Sequence, residues 1–193
     1  MYTRGFTTPT QTVKTARALR DGAMRIVVVA DTHSRPHPDA ARHITAQKPD
    51  LLLHAGDIGD FAVLDELSKL APVLAVRGNI DEPVREIPDA LTLDLTDDGA
   101  SVLRLLLLHI GVNGPKVRAD VARLAKAEAA RLVVCGHSHV PFIGSDRGVS
   151  VFNPGSIGPR RFGLPIVFGV LELDRERVRM FHVDCETGAR WEP

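Results

Sequence analysis

Seven side chains able to bind a divalent metal ion stand at the ends of apolar, strand-like runs of this sequence. They are two carboxylates, one carboxamide and four imidazoles: Asp31, Asp57, Asn79, His33, His109, His137 and His139. In open α/β sheets, ligands bind outside the carboxyl ends of the strands, so five such ends would deliver these donors to one rim. Oxygen and imidazole donors without thiolate suit manganese, iron, cobalt, nickel or zinc better than calcium. The pattern predicts a metal centre.

Three of the donors directly follow a glycine, at Gly56, Gly78 and Gly136. Glycine lets the backbone turn tightly or approach an ion closely. Each donor taken alone is more often a turn or packing residue. Their joint occurrence at successive strand ends is what favours a functional site.

The elements that must position these donors alternate between strand and helix in the first part of the chain. Apolar runs predict strands at residues 24–30, 51–54 and 73–76, and helices at 38–47 and 60–70 lie between them, the second capped by Asp60. This alternation predicts parallel strands.

The later part of the chain predicts mostly strands. A hairpin joins residues 91–95 and 102–108 across Asp97-Asp98-Gly99, and a helix follows at 116–130. Further strands are predicted at 132–135, 149–152, 165–173 and 177–183. The fold class is therefore mixed α/β, with two sheets face to face and helices outside.

Five motifs, taken in their order along the chain, resemble the sequence pattern of the calcineurin-like metallophosphoesterase superfamily. The residues that carry this resemblance are Asp31-x-His33, Gly56-Asp57, Gly78-Asn79, His109 and Gly136-His137-x-His139. Two further segments look most similar to the small bacterial and archaeal phosphodiesterase branch: Gly78-Asn79-Ile80-Asp81 and Asn153-Pro154-Gly155-Ser156. The resemblance spans about residues 24 to 183 and implies a four-layer α-β-β-α sandwich of two mixed sheets.

The resemblance also implies two divalent ions, manganese above the alternatives iron, zinc, cobalt and nickel. The first ion would be held by Asp31, His33 and His139, the second by Asn79, His109 and His137, and Asp57 would bridge both. A hydroxide between the ions would attack the phosphorus of a phosphodiester, with Asp57, Asn79 and His137 as the catalytic residues.

Two positions depart from the family pattern. Many members have a histidine directly after the asparagine, thought to protonate the leaving group, whereas this chain has Ile80. We therefore expect a preference for phosphodiesters with good leaving groups. The usual His-Gly pair is lengthened to His109-Ile110-Gly111, which affects how His109 holds the second ion. Asp81 either orients a neighbouring group or serves as a turn carboxylate.

Arginines near the predicted rim are candidates for substrate binding. Arg160 and Arg161 follow the Asn153–Ser156 turn, and Arg35 follows His33 closely, so each either reaches a substrate phosphate with Asn79 or lies on a solvated loop. His54 is expected to pack in the core, and Cys135 is expected to be a core thiol.

Composition narrows the classes of partner. With 24 basic and 24 acidic residues the net charge is zero, and aromatics make up only 5% of residues, so nucleic acid is an unfavoured ligand. No apolar run approaches the roughly 18 residues that span a bilayer. Two cysteines do not form a disulfide framework. We expect a cytoplasmic protein acting on a small phosphate ester; the sequence leaves its oligomeric state open, with a homodimer or a higher oligomer as the alternatives.

Residues 24–193 are predicted to form a single domain, and residues 1–23 an N-terminal extension or arm; a transit peptide is the alternative. A catalytically weak scaffold for protein–protein interaction is the alternative function, because a subunit of the eukaryotic retromer coat resembles the same pattern. The complete set of seven donors favours the enzyme, since a scaffold loses ligands without penalty.

Overall fold

Strand β2 (Ala23–Val29) is covered on both faces, and its side chains alternate between two hydrophobic cores. Ile26 and Val28 lie in one core, whereas Val27 and Val29 lie in another on the opposite face. A continuous apolar run rich in β-branched residues is what a strand buried on both faces requires. The strand therefore has a layer of structure on each side.

The computed structural model describes residues 12–175 and 177–192, whose strands form two six-stranded mixed sheets and one short hairpin. The first sheet contains, in spatial order, β1 (Thr12–Ala18), β5 (Ala90–Asp97), β6 (Ala100–Leu108), β9 (Leu132–Val134), β11 (Val149–Asn153) and β10 (Phe142–Asp146). The second contains β14 (Arg190–Trp191), β13 (Val178–Asp184), β12 (Val167–Asp174), β2, β3 (Leu51–His54) and β4 (Val73–Ala75). The hairpin pairs β7 (Val112–Asn113) with β8 (Lys116–Val117).

Helices cover the outer faces of the two sheets. They are α1 (Ala40–Ala46), α2 (Ala62–Ser68) and α3 (Ala119–Ala127). Ile44 of α1 and Leu67 of α2 pack on the second sheet, and Val121 of α3 packs on the first. A central core between the sheets includes the fully buried Phe152. This arrangement confirms the predicted α-β-β-α sandwich.

Most predicted strands are present with boundaries shifted by one or two residues, and the predicted hairpin across Asp97-Asp98-Gly99 joins β5 to β6. The helix predicted over 116–130 is shorter, because residues 116–117 pair as β8 around the turn at Gly114, whose φ is +57°. Asp60 accepts a hydrogen bond from the Ala62 amide at the start of α2, although no side chain caps the N-cap position itself.

The described part of the predicted N-terminal extension contributes β1, an edge strand paired in parallel with β5. Residues 1–11 of that extension lie outside the described residues. Within the part of the chain that the structure describes, no helix has the length and apolar character needed to cross a membrane.

Candidate metal centre

The seven predicted donors meet at one rim of the sandwich, where five strands end. Strands β2, β3 and β4 run parallel in one sheet, and β6 and β9 run parallel in the other, so the loops after them share a rim. Six of the donors form two groups of three, and within each group the ligand atoms lie within 4.8 Å of one another. One group is Asp31, His33 and His139, and the other is Asp57, His109 and His137. Their role as metal ligands stays a prediction.

The first group centres on the buried carboxylate of Asp31. Its Oδ1 lies 3.4 Å from His139 Nε2, and His139 Nε2 lies 3.4 Å from His33 Nε2. The His33 and His139 rings stack with centroids 5.3 Å apart. Two imidazoles and a carboxylate oxygen therefore face a common point.

The second group centres on His109. Its Nε2 lies 3.1 Å from Asp57 Oδ1 and 3.2 Å from Asn79 Oδ1, so Asn79 joins this group. The rings of His109 and His137 are nearly perpendicular, with centroids 5.1 Å apart. The lengthened His109-Ile110-Gly111 segment leaves His109 within this cluster.

Asp57 connects the two groups. Its Oδ1 faces His109 of the second group, and its Oδ2 lies 3.8 Å from His33 Nε2 of the first. A carboxylate whose two oxygens face different clusters is suited to bridge two ions.

The donor set fits metal ions because it contains polar atoms that lack protein partners. Asp31 Oδ1 is buried without a hydrogen bond, and burial raises the pKa of Asp31 to about 7. A buried, unpaired carboxylate oxygen is costly, and coordination of a cation removes that cost.

The hydrogen bonding of His109 gives the same indication. A carbonyl oxygen only accepts, so His109 Nδ1 donates to Ala55 O at 2.7 Å and the neutral ring keeps its lone pair on Nε2. That lone pair faces oxygens of Asp57 and Asn79, an arrangement that suits a cation between them. Burial lowers the pKa of His109, but in the protonated ring Nε2–H donates to Asp57, and this hydrogen bond with the charges of Asp31 and Asp57 outweighs burial and raises the pKa.

The remaining groups are held in the forms that bind metals. Burial, followed by nearby positive charge, lowers the pKa of His33 and of His137, and lowers that of His139 to about 4. Burial raises the pKa of Asp57, yet the hydrogen bond and charge of His109 more than offset it and bring it to about 2. At neutral pH these imidazoles are uncharged and Asp57 is ionised.

Five of the seven donors have left-handed backbone conformations. The φ angles are +55° at Asp31, +46° at His33, +54° at Asp57, +68° at His137 and +59° at His139. Such conformations cost on the order of 1–3 kcal/mol each for residues other than glycine, and they concentrate at functional sites. The loops bend in this way to direct consecutive side chains toward one centre.

Asp81 holds two of these loops together. Its carboxylate accepts hydrogen bonds from the backbone amides of Ile58, Gly59 and Gly78, at 3.1, 2.8 and 2.7 Å. The Asp57 loop and the Asn79 loop are thereby fixed to each other. Of the two roles that the sequence left open for Asp81, the structure supports the orienting one.

The Asn153–Ser156 turn supports the other loops. Asn153 Nδ2 donates to Gly136 O at 2.8 Å and to Ser138 Oγ at 3.1 Å, and Ser156 Oγ donates to Asp31 O at 3.0 Å. The segment before His137 and His139 and the segment after Asp31 are thereby tied to one turn.

His54 lies fully buried beneath both aspartate loops. Its Nδ1 accepts from the Gly56 amide at 3.2 Å, so Nε2 carries the hydrogen and donates to Thr32 Oγ1 at 3.0 Å. Thr32 in turn donates to Ile58 O at 2.9 Å. His54 therefore connects the loops through hydrogen bonds, beyond the core packing expected from the sequence.

The predicted substrate arginines differ in their placement. Arg160 donates to Leu164 O at 3.0 Å and pairs with Glu186 at 2.6 Å, whereas Arg161 places Nη2 3.1 Å from His33 Nε2. Arg35 is exposed beyond His33. Arg161 is therefore the arginine that the structure brings to the donor cluster.

Ile80 and Cys135 lie close to donor residues in the chain but differ in exposure. Ile80 is half exposed, and its amide donates to Asp57 Oδ1 at 3.2 Å. Cys135 is fully buried, and burial raises the pKa of its thiol to about 12, as suits a core residue.

We predict that Gly78→Ala weakens binding of Mn²⁺ by at least roughly tenfold, a loss typical of disturbed support around metal ligands. Gly78 does not adopt the left-handed conformation, but a Cβ there would overlap the amide nitrogen and Oδ1 of Asp57. Calorimetric titration of chelator-treated protein measures the affinity. Gly163→Ala is the matched control, because a Cβ there meets nothing within 4 Å. Equal effects of the two variants would contradict the prediction.

His54 gives a prediction about stability and pH. Burial lowers the pKa of His54 to about 3. As the pH falls below the ordinary histidine pKa of 6.5, the imidazole therefore takes up a proton in the unfolded chain but not in the folded one. Because this proton uptake stabilises the unfolded chain, it lowers the free energy of unfolding by about 3 kcal/mol between about pH 7.5 and about pH 4.5.

His54→Gln removes this titration. The variant should be less stable than the wild-type protein at the higher pH, and the gap in free energy of unfolding should narrow by about 3 kcal/mol at the lower pH. Urea unfolding of chelator-treated proteins at both pH values measures the gap. A gap that stays constant would show that His54 titrates alike in both states.

Comparison with known proteins agrees with this geometry. A probable metallophosphoesterase of Methanocaldococcus jannaschii is 31% identical over 186 residues, which cover 94% of this chain and 93% of that protein. The phosphodiesterase YfcE of Escherichia coli is 33% identical over 118 residues, covering 58% of this chain and 59% of YfcE.

Solved structures share the fold. Vacuolar protein sorting 29 from Cryptosporidium parvum has a TM-score of 0.71 at 18% identity, covering 89% of this chain and 96% of that chain. The family model described as the calcineurin-like phosphoesterase superfamily domain matches residues 24–176. With its matched residues holding all seven donors, the chain belongs to the calcineurin-like phosphoesterase superfamily.

Proposed function

We propose that this protein is a dinuclear metal-dependent phosphodiesterase. The observation that carries the proposal is the pair of donor groups joined by Asp57, whose oxygens face His109 on one side and His33 on the other. YfcE, a relative named as a phosphodiesterase, supports the choice of diesters.

The chain's residues would divide the work by position. Asp31, His33 and His139 would hold one ion, Asn79, His109 and His137 the other, and Asp57 both. When bound, the ions supply a hydroxide nucleophile near neutral pH and positive charge for the phosphoryl oxygens. Among the possible metals we propose manganese first, with iron, zinc, cobalt and nickel as alternatives.

The charge of the site suits a phosphate ester. Two divalent ions would carry four positive charges. The carboxylates of Asp31 and Asp57 contribute two negative charges, whereas the neutral imidazoles and Asn79 contribute none. About two positive charges therefore remain to attract a phosphate and to stabilise charge that develops during its hydrolysis.

Ile80 limits the leaving groups that the site serves well. An isoleucine side chain donates no proton, so a departing alcohol takes its proton from water or another side chain, or leaves as the anion. Acidic alcohols such as phenols leave readily as anions, without a proton donor. We therefore propose that activated diesters are turned over faster than alkyl monoesters.

A protein scaffold is the second candidate, and the observation that favours it is the structural likeness to vacuolar protein sorting 29. That likeness is at 18% identity and concerns the fold. The complete donor set and Arg161 beside it favour hydrolysis, because a surface that only binds another protein needs neither.

We predict that the protein hydrolyses diesters only with metal bound. Purified protein would be analysed for metal content and assayed on phosphomonoesters, phosphodiesters and cyclic nucleotides, before and after chelation and after return of each metal. Asp57→Asn should lower turnover by at least roughly 100-fold, because the neutral amide lacks the negative charge and the second acceptor oxygen that Asp57 turns toward the two donor groups.

Asp98→Asn is the matched control, since this exposed hairpin residue has a φ of +48°, which asparagine tolerates well. Turnover that survives both chelation and Asp57→Asn would rule out the proposed mechanism. If the metal-loaded protein shows no activity on any of the esters, the scaffold function is favoured.

A further inference from the structure

Large apolar side chains are exposed at positions next to the metal centre in the chain. Three of them directly follow residues of the site or its immediate surroundings: Ile80 after Asn79, Val140 after His139 and Phe162 after Arg161. Single exposed apolar residues are common on proteins, whereas several beside one polar site indicate a binding surface.

Phe162 differs from the other two in degree. Its side chain is 93% exposed, against 48% for Ile80 and 44% for Val140. Its backbone has a φ of +52°, a conformation that is unusual for an aromatic residue. Packing within the fold therefore does not account for a phenylalanine at this position.

The turn that carries Phe162 is closed by hydrogen bonds across its base and is joined to Glu186 by an ion pair. Arg160 donates to Leu164 O and pairs with Glu186, and the Leu164 amide donates to Arg161 O at 3.1 Å. Because the base of the turn is fixed, its tip presents Arg161 and Phe162 together, in a defined place beside the donor cluster.

Arg161 brings a positive charge to the first donor group. Its Nη2 lies 3.1 Å from His33 Nε2, and its charge acts on His33, His137 and His139 alike. A guanidinium is well suited to bind phosphate oxygens. The turn thus offers an anion-binding group and an aromatic face in adjacent residues.

We propose that the turn of residues 160–164 is the substrate-recognition element of the metal centre, and that the substrate is a phosphodiester whose non-leaving ester group, the one that stays on phosphorus, is planar and aromatic. This inference rests on the proposed function. Arg161 binds a phosphate oxygen and the ring of Phe162 stacks on the aromatic group, which is an aryl ring or a nucleobase. Ile80 and Val140 add apolar surface at the mouth.

The size of the apolar surface favours a small ligand over a partner protein. Stable protein interfaces involve about 20–30 residues on each side. Here the exposed apolar surface consists of three separate side chains around a cationic centre, which complements the mixed anionic and aromatic character of such a diester.

The test for Phe162 compares two diesters with the same leaving group, phenyl 4-nitrophenyl phosphate and methyl 4-nitrophenyl phosphate. In the metal-loaded enzyme, Phe162→Ser should lower kcat/KM for the phenyl ester by roughly tenfold, the loss expected for one aromatic contact, and leave the methyl ester nearly unchanged. Val178→Ser is the control, because Val178 is also exposed but pairs with Leu173 at the opposite end of the second sheet.

The test for Arg161 separates substrate binding from support of the metal. Arg161→Met should weaken binding of inorganic phosphate to the metal-loaded protein by roughly tenfold or more and raise KM for both diesters. Its affinity for Mn²⁺ should stay equal or increase, since a positive charge near His33 has been removed. The exposed Arg123 on α3 provides the control Arg123→Met.

The outcomes distinguish the inference from the proposed function. Absence of turnover for every diester would contradict the proposed function itself. Turnover with an unchanged ratio of phenyl to methyl ester in Phe162→Ser overturns the recognition element and leaves the apolar surface to a partner protein. A loss of Mn²⁺ affinity in Arg161→Met equal to its loss of phosphate affinity would make Arg161 a structural residue.

Discussion

The structure depends on keeping seven electron-rich side chains directed at one small volume. Their lone pairs repel one another, and Asp31 Oδ1 lies buried without a hydrogen-bond partner. Five of the seven donors also have strained, left-handed backbones. Such an arrangement persists only when the surroundings determine it, because each of its parts is unfavourable alone. Three hydrophobic cores, one between the sheets and one under each helical layer, provide that rigid frame.

The frame transmits its rigidity to the loops through buried polar groups. Asp81 joins the Asp57 loop to the Asn79 loop, His54 joins the Asp31 loop to the Asp57 loop, and Asn153 fixes the segment that precedes His137. Each of these groups makes two or more hydrogen bonds, so their burial is compensated. Among the donor atoms that face one another, Asp31 Oδ1 is left without a hydrogen bond. The loops are thus ordered by residues that do not belong to the donor set.

The sequence allowed the two-sheet architecture and the convergence of the donors to be predicted, because apolar runs mark buried strands and the donors stand at their ends. Strand β1 was not predicted as part of a sheet, since its side chains are mostly exposed and leave no apolar pattern. The different directions of Arg160 and Arg161 could not be predicted from the sequence either. Neighbouring loop residues follow no period, and their roles are separated by contacts distant in sequence, of Arg160 with Glu186 and of Arg161 with His33.

Metal binding alone does not separate an enzyme from a scaffold, because an ion relieves the strain and repulsion of the donor set in either case. The difference lies in the charge that remains after the ions are held. If two divalent ions bind as proposed, the two carboxylates would neutralise only half of their charge, and Arg161 adds a further positive group beside the donors. A site built only to stabilise the fold has no reason to retain this excess next to solvent. An excess of positive charge at an open rim is instead what binding and hydrolysis of an anionic ester require.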